Sequence, residues 1–295
     1  LEILSNCLIC NSENLTPFIK AQDYTVSKEW FQIVRCQICG FKFTNPRPNP
    51  DEIGAYYESE EYISHSNTQK GLINVLYHWV RRYTLSAKAR LIQQRMPNKN
   101  NLLDIGCGSG AFLAFMAKEG WNCTGIEPSE KARAYAKQNY GLAVYEPLRF
   151  FELPAQNYEV ITMWHVLEHV HLLNEYIVQL KKLLKPGGLL LIAVPNSQAA
   201  EAEHYGAAWA AYDVPRHLYH FAPSDMENLL QKHQITLLEK KRMPFDAFYV
   251  AMLSERYQNH SWGLARAFWQ GVKSNALAQK DINLCSSLIY LCQTV

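Results

Sequence analysis

The stretch NLLDIGCGSGAFLAFMAKEG, residues 101–120, decides the fold. Five residues of strand character, Asn101 to Ile105, run into a turn with glycine at 106, 108 and 110, and the turn opens an apolar helix closed by Gly120. Strand, glycine turn and helix in that order begin a βαβ unit. The text that follows keeps alternating. NCTGIEPS (122–129) reads as a second strand and EKARAYAKQNYG (130–141) as a helix. AVYEP (143–147) is a short third strand and YEVITMW (158–164) a fourth. LNEYIVQLKKLLKPGG (173–188) is a helix ending in Pro-Gly-Gly, and LLLIAVPN (189–196) a fifth strand. Further on come a loop rich in histidine and aromatics (204–221), a helix PSDMENLLQKH (223–233), a strand ITLLEKKR (235–242) and a terminal strand SSLIYLC (286–292). Such alternation predicts an α/β fold, a doubly wound and mostly parallel sheet.

The glycine turn fits two patterns. Gly106, Gly108 and Ala111 satisfy the dinucleotide spacing, which alone is weak, while Gly106-x-Gly108-x-Gly110 after Asp104 satisfies another. Charge separates them. A pyrophosphate would lie badly beside the Asp104 carboxylate, whereas the sulfonium and ammonium of S-adenosylmethionine would be favoured by it. Glu127, at the end of the second strand, is placed to accept ribose hydroxyls with either cofactor.

Before this region the chain reads differently. Cys7-x-x-Cys10 and Cys36-x-x-Cys39 put two thiolate pairs on tight turns, the spacing of a four-cysteine structural Zn²⁺ site in a small module over residues 1–50. TNPRPNPDEI (44–53) ends that module. Residues 51–100 read as a helical connector with an aromatic start at Tyr56, Tyr57 and Tyr62. From Gly71 to Asn100 it is basic and amphipathic, with Leu72, Leu76 and Trp79 among its apolar positions. The remaining domain is 101–295. The other four cysteines, Cys107, Cys123, Cys285 and Cys292, are scattered through apolar segments and read as buried hydrophobes, so a reducing, cytoplasmic setting is expected. A formal net charge of +2 over 295 residues gives no general argument for nucleic acid as a partner. No apolar run approaches the ~20 residues of a membrane span, and no basic-then-apolar leader is visible.

LLDIGCGSGAFL, GIEPS, YEVITMWHVLEHV and LKPGGLLLIAVPN, in that order, resemble the class I S-adenosylmethionine-dependent methyltransferases over about residues 101–240. The resemblance implies a seven-stranded sheet with the cofactor across the strand ends. Asp104, Gly106, Gly108, Gly110 and Glu127 would hold it, with Cys107, Pro128 and His165 beside them and Leu148 near the adenine. His165-x-x-Glu168-His169 also matches the inverted zinc-protease motif, but it follows directly on a strand, where a protease needs a formed helix. In similar methyltransferases this loop borders the methyl group. Some quinone O-methyltransferases carry Glu-x-x-Glu-His there and bind a divalent ion, whereas His165 replaces the first glutamate here.

A four-cysteine module ahead of this domain is similar to bacterial methyltransferases of nucleotide-linked deoxysugars. Their two active-site histidines match His169 and His217. Val214 and Arg216 stand where those enzymes have tyrosine and glutamate. The expected catalytic residues are therefore His217, His169 and His220, acting by O- or C-methylation on a small-molecule acceptor that is glycosyl, nucleotide-linked or phenolic, a sugar or nucleotide-linked sugar among them. Arg216 and the basic stretch 81–99 suggest that the acceptor is anionic. Two competing readings are an rRNA methyltransferase with an N-terminal zinc ribbon and a non-catalytic S-adenosylmethionine-binding protein.

Overall fold

A computed structural model describes residues 1–57 and 72–294, and for 72–81 the backbone alone. Tyr62 and Gly71 of the expected connector, and the side chains of Leu72, Leu76 and Trp79, lie outside the described residues. The chain divides into two compact units, Leu1–Ile63 with Leu167–Asn174 and Ala193–Tyr290, and Ser64–Val166 with Glu175–Ile192 and Leu291–Val295. These units do not follow the boundaries 1–50, 51–100 and 101–295 expected from composition. Among the described residues no helix is long and apolar enough to cross a membrane.

The glycine turn belongs to a seven-stranded, mostly parallel sheet. Its strands are β4 (Asn101–Ile105), β5 (Asn122–Ile126), β6 (Ala143–Tyr145), β7 (Tyr158–Trp164), β8 (Leu184–Pro195), β10 (Ile235–Arg242) and β11 (Ser287–Thr294), in the order β10-β11-β8-β7-β4-β5-β6. β4 lies parallel to both β5 and β7, with Ile105 opposite Ile126 on one side and Met163 on the other. Leu102, Leu103, Val160, Ile161 and Met163 are fully buried, which is why these strands read as continuous apolar runs and not as alternation. The strand order turns outward in both directions from β4 and β7. The crevice at their carboxyl ends is the switch point where such sheets bind ligands.

One boundary differs from the sequence reading. The helix Leu173–Leu183 stops before Pro-Gly-Gly, and β8 already runs through it from Leu184. Sheet partners explain the difference: the Gln293 side chain donates to the Gly187 carbonyl, and Lys185 pairs with Glu159.

The unit of Leu1–Ile63, Leu167–Asn174 and Ala193–Tyr290 also carries an antiparallel sheet of β1 (Leu15–Gln22), β2 (Trp30–Cys36), β3 (Lys42–Thr44) and β9 (Tyr219–His220), in that order. Lys42 pairs with His220 and Phe43 with Tyr219. The N-terminal residues therefore do not close a sheet of their own, because its fourth strand comes from the histidine-rich loop. Ala21, Phe31 and Ile33 of this sheet share one buried cluster with Trp209, Tyr212, Val214 and the helical residues Val250, Ala251 and Ala267. The helices Pro244–Tyr257 and Gly263–Lys280, which join β10 to β11, were not expected from the sequence.

Candidate active site

The turn after β4 is shaped by contact. Gly106 adopts φ +69°, and a Cβ there would lie 2.3 Å from a methyl of Val166, so only glycine fits. Gly108, at φ +54°, has open space where a Cβ would project, which leaves room for a ligand against the backbone. The Gly106 and Cys107 amides donate to the Ile126 carbonyl at 2.7 and 3.1 Å, tying the turn to the end of β5. Gly110 precedes the helix Ala111–Lys118 in a left-handed conformation.

Two acids face this turn. Asp104 is buried and accepts a 2.6 Å hydrogen bond from the Thr162 hydroxyl on β7. Burial pushes its carboxyl up to about 7, against the opposing pull of Thr162 and Lys88. A carboxylate so desolvated is stabilised by a cationic ligand. Glu127 accepts from the Gly108 amide at 2.8 Å and the Ser129 amide at 2.9 Å, one through each oxygen. Each oxygen keeps a free acceptor direction, as two ribose hydroxyls require. Lys88 lies over the Trp164 ring, 3.9 Å from its centroid, and Trp164 meets Phe112 edge-on at 5.7 Å.

The other residues expected at the cofactor are placed less uniformly. The Cys107 side chain turns down toward β5, where a Cβ on Gly125 would lie 2.7 Å from its sulfur, so Cys107 offers the site its backbone only. Pro128 is exposed, and Leu148, 75% exposed, lies on a 3₁₀ turn after β6. His165 has φ +58°, and this left-handed residue turns the chain out of β7.

The histidines assemble in the other unit. The rings of His169 and His217 stand edge to face with centroids 4.6 Å apart. The His169 Nδ1–H donates to the Arg216 carbonyl at 3.0 Å and the His217 Nδ1–H to the Ala211 carbonyl at 2.9 Å. Both Nδ1 atoms thereby carry a proton, which leaves Nε2 as the second nitrogen of each ring. Tyr57 Oη lies 2.9 Å from His169 Nδ1. Burial, reinforced by His217, pulls His169 down to about 4, so it is neutral at physiological pH. One ligand atom each from Glu168, His169 and His217 lie within 4.8 Å of one another, a donor set able to hold a divalent ion. His165 is not part of this group. Glu168, fully buried between Leu167 and His169, was not expected as a site residue, although its place between the motif histidines marked it.

His220 sits apart from the pair. It is 3% exposed, with Nε2 3.1 Å from Thr44 Oγ1, and the Thr44 hydroxyl donates to the His217 carbonyl. Its Nδ1 has no hydrogen-bond partner among the described residues, and burial holds its pKa well below the usual histidine value. His220 packs edge-on against Tyr212. It supports the loop that carries His217.

Arg216 does not support an anionic acceptor. It is buried, donating to both Asp213 oxygens, to Asp23 Oδ1 at 3.1 Å and to the Tyr56 carbonyl. Burial opposes the charge of Asp213, but Arg216 and His217 outweigh it and hold its carboxyl below the usual range. The guanidinium is thus a structural tie among three segments, and its charge is already matched.

Cys7 Sγ lies 3.5 Å from Cys39 Sγ, and Cys10 Sγ 3.5 Å from Cys36 Sγ; all four sulfurs lie within 4.8 Å of one another. Bonds of about 2.3 Å to a tetrahedral ion give sulfur separations near 3.8 Å. The amides of Ile9 and Cys10 point to Cys7, and those of Ile38 and Cys39 to Cys36. These donors favour thiolates.

A glycine turn with two acids at the switch point of a seven-stranded sheet is the cofactor end of a methyltransferase fold. The methyltransferase-domain family matches residues 76–240, more than half of the chain. The chain belongs to this family and is an S-adenosylmethionine-dependent methyltransferase. It is 27% identical over 222 residues to the ubiquinone biosynthesis O-methyltransferase of Rickettsia conorii, an alignment covering 66% of this chain and 76% of the relative. With the enzyme of that name from Rickettsia canadensis it is 30% identical over 161 residues, covering 50% and 68%. A Galdieria sulphuraria protein described as a sarcosine dimethylglycine methyltransferase shares the fold, with TM-score 0.51, 13% identity, and coverage of 72% and 84%.

Proposed function

We propose that this enzyme methylates a hydroxyl of a small acceptor and that His217 and His169 form its proton-accepting pair. The observation that carries this is the pair of imidazoles with centroids 4.6 Å apart, each fixed by a carbonyl at Nδ1 and each left with Nε2 for proton transfer. S-adenosylmethionine supplies, when bound, a methyl group on a good leaving group. What the chain must add is alignment and removal of the hydroxyl proton. The proton passes to Nε2 of His217, where the Asp213 carboxylate, 3.9 Å away, and the Glu168 carboxylate stabilise the imidazolium. Asp104 faces the cationic end of the cofactor and Glu127 its ribose. The turn Gly106–Gly110 would lie beside it, with Pro128, Leu148 and His165 at the periphery.

The acceptor class follows from two supports that differ. The relatives are named as O-methyltransferases of ubiquinone biosynthesis, which favours a hydroxyl acceptor. The N-terminal cysteines and the match of His169 and His217 favour a sugar or nucleotide-linked sugar. A methyl-transfer assay reading S-adenosylhomocysteine release, run on catechols and on nucleotide-linked sugars, decides between them. Turnover of neither, with intact cofactor binding, would sink the hydroxyl reading. Salt-dependent RNA binding would favour the rRNA alternative.

A second reading has its own observation. The grouping of Glu168, His169 and His217 would suit a divalent ion that binds the acceptor oxygen and lowers its pKa. Loss of turnover on chelation and recovery with magnesium or manganese would favour it over the free histidine pair. The four cysteines are proposed to hold one structural Zn²⁺, since their donor set is closed and purely thiolate.

A further inference from the structure

The helices Pro244–Tyr257 and Gly263–Lys280 form a hairpin whose apolar side chains are on the wrong side for a buried element. The first buries Ala247, Val250, Ala251 and Ser254, small residues at helical spacing. The second buries Ala267, Gly271, Ser274 and Ala278. Small inward residues let the helices approach closely, and a Cβ on Gly271 would lie 2.4 Å from the Phe248 ring. Leu253 and Tyr257 pack against the buried cluster, but most of the other large apolar residues are exposed.

At 100° per residue, Phe245, Tyr249 and Met252 fall within about 60° of arc opposite the buried stripe. All three are exposed. On the second helix Leu264, Phe268 and Val272 repeat every four residues on the outward face, with Trp269 beside them. Phe248 and Phe268 are 5.8 Å apart, which joins the two stripes into one surface. Trp262, at the hairpin tip, is 84% exposed and Trp269 is 69% exposed. Single exposed apolar residues are ordinary, but a continuous aromatic face of this kind marks an interaction surface.

Charge identifies what covers it. Between residues 242 and 280 the exposed charged residues are Arg242, Arg256, Arg266, Lys273 and Lys280. The acids of that span are inward, with Glu255 buried and Asp246 half-buried; the nearest exposed acid is Asp281, just past the second helix. On that helix Lys273 and Lys280 lie along one edge of the apolar stripe, while Arg266 is paired with the buried Glu255 at 3.0 Å. A second copy meeting this face through a twofold axis would offer these cations no exposed acid of the hairpin as a partner. An anionic bilayer matches both features. Tryptophan, tyrosine and phenylalanine sit well at the headgroup level, and arginine and lysine beside them reach lipid phosphates.

We propose that this hairpin docks the enzyme on the surface of a membrane containing anionic lipid. The proposal does not rest on the acceptor or on the histidine chemistry. The test is co-sedimentation of the full chain with phosphatidylcholine vesicles, and with vesicles containing about one third phosphatidylglycerol. Binding is expected to the second set, with a blue shift of tryptophan fluorescence, and to weaken at least about tenfold when salt rises from about 0.1 M to about 0.5 M. The double variant Phe268→Ser, Trp269→Ser and the charge variant Lys273→Glu, Lys280→Glu should each reduce the bound fraction by about tenfold, leaving thermal stability and S-adenosylhomocysteine binding unchanged. Equal binding to both vesicle types, no binding to either, or vesicle binding insensitive to both variants would overturn the proposal. So would a concentration-dependent dimer that the same variants dissociate, which would assign the face to a second copy.

Discussion

The glycine turn and the histidine cluster are built in opposite ways. The cofactor side draws its turn, Asp104 and Glu127 from residues 104–129, with Thr162 the added partner, and each piece is fixed by neighbours a few residues away or on an adjacent parallel strand. The histidine cluster takes Asp23, Thr44 and Tyr57 from the N-terminal part of the chain, His169 from the end of the β7 loop, and Asp213, Arg216 and His217 from much later. A locally built site tolerates damage elsewhere. A site assembled from three distant parts of the chain depends on all of them.

The sharpest test of that difference is removal of the proposed zinc. Structural zinc contributes on the order of 10 kcal/mol to folding small modules. β3 follows Cys39 directly, and its Thr44 holds the His217 carbonyl. Cys36→Ser, or exhaustive chelation, should therefore abolish methyl transfer while calorimetry still finds S-adenosylhomocysteine binding. Equal loss of both would show that the two regions are not separable. Next in size, His217→Ala should reduce kcat by about 10²-fold or more with cofactor affinity nearly unchanged, since a positioned base contributes about 10²–10⁴-fold. An unaltered kcat would leave His169 or a bound ion as the proton acceptor.

The pH dependence of stability is smaller. His169 has a folded pKa of about 4 against an ordinary 6.5. Between these values the unfolded chain binds a proton that the folded chain refuses, so stability falls as pH drops from about 6.5 to 4 and is fully present above that window. The two and a half units correspond to roughly 3 kcal/mol. Urea denaturation at several pH values should show the loss, and His169→Gln should flatten it. Least in effect, Glu127→Gln keeps the shape but removes the charge that accepts the ribose hydroxyls. It should weaken cofactor affinity by about tenfold, roughly one charge-assisted hydrogen bond. Titration calorimetry would measure it, and an unchanged affinity would remove Glu127 from the ribose.

This contrast also governs what the sequence revealed. The parallel strands and the glycine turn were legible because β4 and β7 are buried on both faces and read as apolar runs beside a turn that only glycine permits. His169 and His217 were legible as candidates from motif position. Their approach to 4.6 Å was not, because it depends on a strand, β9, only two residues long. Arg216 misled for a related reason: Asp213, three residues before it, is visible in the sequence, but Asp23, which completes the match, lies 193 residues away. The hairpin Pro244–Lys280 was missed because its buried faces are alanine, serine and glycine while its aromatics face outward, which erases the amphipathic pattern that marks a core-facing helix.

Glu127 carries one more consequence. Its two oxygens hold the amide protons of Gly108 and Ser129, one before the ligand-facing helix and one at the cap of the next. Those two protons are natural reporters for hydrogen–deuterium exchange. Opening the turn must break the bond at Gly108, and loosening the Glu130–Tyr140 helix start must break the bond at Ser129. Their separate exchange rates would tell which end of the crevice breathes when the enzyme lets go of its product.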